Sequence, residues 1–120
     1  MLALKTIMAS EVSELDEIFQ ECLKKFPELK NRDIQLRVIR TTDVLEGAKA
    51  TDKAGNDVVV VWIPDKLWDS WNAIRPIIYH ELSHFIDLHN PDRIFYERAD
   101  EKSQKLWDLL QDAKAIKCES

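Results

Sequence analysis

At 120 residues, 45% hydrophobic and 32% charged, the chain has the length and balance expected of one globular domain, 1–120. A formal net charge of −5 argues against a nucleic-acid surface, which needs clustered Lys and Arg, and no apolar run approaches the ~20 residues of a membrane helix. The two cysteines, Cys22 and Cys118, are far apart and have neither metal-site spacing nor a disulfide framework, so the expected location is cytoplasmic.

The first eight residues are too short and too polar for a signal peptide. Residues 10–26 predict an amphipathic helix. Val12, Leu15, Ile18, Phe19, Cys22, Leu23 and Phe26 recur at spacings of three and four, Ser10 is a candidate N-cap, and Pro27 stops the helix. Cys22 falls on the apolar face and reads as an inert buried thiol. Ile34, Leu36 and Val38 alternate with polar residues over a strand at 34–42. A weaker strand is expected at 47–53, then a hairpin turn at 54–57, where Gly55 and Asn56 tolerate positive φ. The β-branched run 58–63, stopped by Pro64, is the clearest strand. A short helix or turn at 65–71 follows, and Trp62, Trp68 and Trp71 are expected to pack in or around the core.

The next helix carries the chemistry. It is expected to start between Asn72 and Pro76 and to run to about His89, because Pro suits a first turn and Asn90-Pro91 ends it. Within it stands His80-Glu81-Leu82-Ser83-His84, the pattern H-E-x-x-H. One helical turn separates the two histidines, so both imidazoles project from one face and can share a zinc ion. Glu81 points about 100° round the helix, beside the metal, where a carboxylate can take a proton from attacking water and hand it to a leaving amine. The pattern is specific for its length. Ile77, Ile78, Leu82, Phe85 and Ile86 make the rest of the helix apolar, as a buried central helix requires.

A catalytic zinc needs a third protein ligand. A final helix is expected over 93–115, with Ile94, Ala99, Leu106, Leu109, Leu110 and Ala113 supplying apolar contacts and Trp107 nearby. If it forms an antiparallel hairpin with the histidine helix about Asn90-Pro91, residues equidistant from the turn face each other. That count sets Glu97 level with His84, and Glu101 level with His80. Glu97 is the expected ligand, with Glu101 or Asp100 orienting a histidine; Asp100, Glu101 and His89 stay open as alternatives. His89 follows His84 by five residues with no glycine between, whereas metzincins place a third histidine six residues on after a glycine.

With H-E-x-x-H on one helix and a glutamate on the next, the chain resembles the gluzincin branch of zinc metallopeptidases over residues 58–110. Its size resembles the minimal single-domain forms, the minigluzincins and selecase-like peptidases. Glu97-Arg98-Ala99-Asp100 is similar to the E-x-x-A-D of related families but one residue shorter. The resemblance implies a small zincin-like α+β domain with an N-terminal helix, a three-stranded sheet, an active-site helix and a C-terminal glutamate helix. It implies a metalloendopeptidase with zinc as cofactor, His80, His84 and Glu97 as ligands and Glu81 as catalytic base. The substrate, a peptide or protein, would lie antiparallel along 58–63 as an edge strand. Tyr79, Tyr96 and His89 are candidate oxyanion donors by proximity. Minimal members can be latent, so the tail 114–120, with Cys118 as a thiolate, or weak self-association of a monomer, would block the cleft. The alternative is a small regulatory or binding module with a structural zinc and no catalysis.

Overall fold

The computed structural model describes residues 3–119, with side chains from 5 to 117. The elements run β1 (Ala3–Met8), α1 (Ser13–Leu23), β2 (Ile34–Thr41), β3 (Glu46–Thr51), β4 (Asp57–Pro64), α2 (Arg75–Ile86), α3 (Asp92–Arg98), α4 (Glu101–Asp112) and β5 (Lys117–Glu119). The α+β class holds. None of the described helices is long and apolar enough to cross a membrane.

The sheet is larger than expected and differently ordered. Among the described residues five strands lie in the order β1-β2-β4-β3-β5. β4 pairs parallel with β2 and antiparallel with β3. It is therefore central, not an edge, and no substrate can add to it. A strand of Val58-Val59-Val60-Val61 suits that place, because both its backbone edges and most of its side chains are covered. The β3–β4 turn forms where expected: Asp52 Oδ1 accepts from the N–H groups of Ala54 and Asn56, and Gly55 takes φ +86°. β5 pairs in parallel with the outer edge of β3, setting Cys118 opposite Gly47 in register.

One core joins sheet and helices. Leu36, Val38, Val59, Val61 and Ile63 pack with Leu15, Ile18 and Phe19 of α1 and with Ile77, Ile78 and Leu82 of α2. From Pro76 to His84 every residue of α2 is buried. Burial is this helix's main support: it has no side-chain cap at its start, and Pro76 occupies the first turn, where a missing N–H costs nothing. Likewise α1 starts at Ser13 behind Val12, not behind a Ser10 cap.

The expected helix over 93–115 is two helices. Ala99 and Asp100 are extended, and the Asp100 carboxylate caps α4 by accepting from Ser103 N–H at 2.7 Å. A short acid that satisfies a free helix N–H favours a new start over continuation. α2 also stops early, at Ile86, where Asp87 Oδ1 turns the chain by accepting from the N–H groups of His89 and Asn90.

Candidate metal centre

α2 brings His80, Glu81 and His84 together. Their ligand atoms lie within 4.8 Å of one another, and the group can hold a metal ion. The Nε2 atoms of the two histidines are 3.2 Å apart. Two nitrogens bound at ~2.0–2.1 Å to one tetrahedral zinc are separated by ~3.3 Å, so the gap already has the required span. His84 Nδ1–H donates to the Leu88 carbonyl at 3.0 Å, which leaves the Nε2 lone pair directed at the gap. Burial, and secondly the charge of His84, push the His80 imidazole down to about 4, so His80 is neutral near pH 7 and needs no deprotonation to act as a ligand. Each histidine is only 6% exposed and Glu81 is fully buried.

β3 sets the position of Glu81. A Cβ added to Gly47 would sit 2.6 Å from Ile77 Cγ2 and 2.9 Å from Glu81 Oε2. Only a residue without a side chain lets the strand run this close to α2. In the sequence Gly47 opens the weak strand expected at 47–53; a small residue inside a strand was the available signal.

Glu97 is not part of the group. It lies on the exposed face of α3, where it pairs with Arg93 at 3.7 Å and Arg98 at 3.4 Å. The cause is rotational. Phe95 is fully buried with its ring 6.3 Å from His80, and residues two apart on a helix diverge by about 200°. Arg98 fixes the same rotation by a two-pronged bond to Glu28 at 2.6 and 2.9 Å and a third to the Lys25 carbonyl. The hairpin count fails because α2 ends before the bend and α3 ends after seven residues.

The alternatives lie elsewhere too. Asp100 caps α4, Glu101 is exposed and pairs with Lys105, and His89 is exposed. Of the candidate oxyanion donors, Tyr96 is bonded to Asp108, and Tyr79 is buried against Phe26. Cys22 is buried and its thiol is pushed up to about 12 by burial, as an inert core thiol should be. The side chain of Cys118, expected as a blocking thiolate, lies outside the described residues.

What faces His80 from the last two helices is aromatic. Trp107 of α4 stacks on its ring at 4.4 Å between centroids and 20° between planes, and Phe95 of α3 meets it at a steeper angle. Sequence reading took Trp107 only as a neighbour of the apolar stripe. Its spacing of four from Ser103, which is also buried, marks the inward face of α4.

Neither a family model nor a curated protein nor a solved structure matches the chain. Functional assignment therefore rests on the geometry.

Proposed function

We propose that the chain is a zinc-dependent metallopeptidase of minimal size, latent in the conformation described. The observation that carries this reading is the pair of imidazole Nε2 atoms 3.2 Å apart, with the buried Glu81 carboxylate on the next residue. The donor set fits zinc: two imidazoles, one of them oriented by a backbone carbonyl. When bound, zinc would polarise the scissile carbonyl and lower the pKa of water. His80 and His84 would hold the ion. Glu81 would take the proton of the attacking water at a carboxylate oxygen and deliver it to the leaving amine.

The proposal keeps Glu97 as a ligand only if α3 rolls to bring it in, which breaks its pairing with Arg93 and Arg98. Substrate would add along the β3 edge, the strand that passes Glu81, rather than along β4. In the described conformation β5 occupies that edge. Displacing the tail would free it, so removal of residues 114–120 is expected to raise activity.

The low exposure of both histidines also favours a second reading, a closed structural zinc in a regulatory module. One experiment separates the two. Zinc content by mass spectrometry and hydrolysis of an unfolded protein substrate are measured for the full chain, the chain lacking 114–120, and Glu81→Gln in both. One zinc per chain in every form, with cleavage abolished only by Glu81→Gln, supports the peptidase. Zinc retained with no cleavage in any form supports the structural site. A purified chain that takes up no zinc ends both readings.

A further inference from the structure

The two histidines are held by different means. An imidazole's rotation about χ2 is broad and weakly restricted, so a ligand histidine needs something outside itself to fix its plane. For His84 that is the bond from Nδ1–H to the Leu88 carbonyl. For His80 there is no such bond: its Nδ1 is buried with no hydrogen-bond partner among the described residues. The usual carboxylate or carbonyl behind a ligand histidine is missing on this side. In its place the indole of Trp107, 4% exposed, lies nearly parallel to the ring at 4.4 Å.

We infer that Trp107 is a positioning residue for His80, its indole face fixing the plane of the imidazole and with it the Nε2–Nε2 gap. The inference rests on the metal reading for its consequence, tighter cation binding, but not for its geometry. It assigns α4 a role in the site. Instead of a carboxylate, α4 supplies a flat apolar surface, which excludes water from one face of the imidazole and leaves Nε2 aimed at His84. A stacked ring keeps its plane without a polar partner, consistent with a buried Nδ1 that has no hydrogen-bond partner among the described residues.

The test uses the full chain with Trp107→Leu, Trp107→Phe and, as a control, Trp71→Leu. Trp71 is as deeply buried as Trp107 and packs edge-on to Trp68, with no ring contact to either histidine among the described residues. Imidazole proton shifts are recorded by NMR on the metal-free proteins, and zinc affinity is measured by chelator competition. The expected result is a His80 ring displaced upfield in the wild type, reduced in Trp107→Phe and lost in Trp107→Leu, with His84 unmoved. Zinc affinity should fall about tenfold in Trp107→Leu, the lower end for loss of an orienting partner, and about threefold in Trp107→Phe. Trp71→Leu should leave both readouts in place, although it destabilises the fold. If Trp107→Leu does not fold, Trp107→Phe decides on the same two readouts. Wild-type His80 shifts without an upfield displacement, or equal zinc affinity in all folded Trp107 variants, would overturn the inference. So would an equal loss in Trp71→Leu. A wild type that shows the displaced His80 ring but binds no zinc removes the metal reading and leaves the positioning role standing.

Discussion

The helix that carries the histidines and the two helices that follow it obey different rules. In α2 the functional geometry is internal: His80 and His84 are one turn apart on one rigid element, and burial on all sides keeps that element helical. In α3 and α4 the geometry is relational. Where Glu97 points depends on where α2 stops, where Asp100 starts a new helix, and which way Phe95 and Arg98 turn α3. A pair of side chains within one element can be placed from the sequence; a side chain across a bend depends on every residue that shapes the bend.

The largest test of that contrast is His84→Ala. It removes one half of the 3.2 Å pair and leaves the Leu88 carbonyl without its donor. Zinc affinity, measured by chelator competition, should drop by more than the roughly 10–100-fold that loss of an orienting partner costs. Unchanged affinity would mean that α2 is not the metal element at all.

Gly47→Ala sharpens the same contrast from the sheet side. The new methyl meets the Ile77 and Glu81 side chains at 2.6 and 2.9 Å, so those side chains, or β3 and α2 themselves, must move. Overpacking of this kind costs about 1–3 kcal/mol, to be read from urea unfolding. A stability equal to wild type would show that the Ile77 and Glu81 side chains, or β3 itself, have room to withdraw.

A smaller effect tests the clamp that turns α3. The bonds from Arg98 hold the Glu28 carboxyl down at about 2, below its ordinary 4.5. A depressed carboxyl stabilises the fold above its unfolded value and loses that contribution as pH falls from about 4.5 towards 2. The melting temperature of Glu28→Gln should therefore lie slightly below wild type at neutral pH and converge with it across that window. The gap is modest because Glu28 is exposed to solvent. Curves that stay parallel down to pH 2 would show that the clamp does not form in solution.

Much of the fold was legible. The alternation of Ile34, Leu36 and Val38, the β-branched run at 58–63, the turn at Gly55 and the start of α2 at Pro76 are local signals, and the elements formed where those signals lie. What the sequence did not disclose was pairing. Nothing in Val58–Ile63 says whether its edges are free, so an expected edge strand became the sheet's centre. β1 and β5 are short and have weak local signals; they exist because β2 and β3 offer open edges. For the site, His80, Glu81 and His84 were fixed by helical spacing alone, and Gly47 and Trp107 were not, because their roles depend on what another element places against them.

The smallest expected effect is also the sharpest comparison. Glu97→Ala should leave zinc affinity within about twofold of wild type, the range of surface substitutions, since Glu97 is exposed and answers only to Arg93 and Arg98. To reach the histidines it would have to swing through roughly half a turn of α3. That motion would lift Phe95 from beside His80 and pull Arg98 from Glu28, so it would show as a joint change at both places. Zinc titrations of Glu97→Ala and Glu28→Gln therefore read together. If only Glu97→Ala weakens zinc, the ion itself recruits α3 by rotation, and Glu28→Gln, which loosens the resting arrangement, should then bind zinc more tightly than wild type. If neither changes affinity, α3 keeps its aromatic face to the metal and its acid to the solvent.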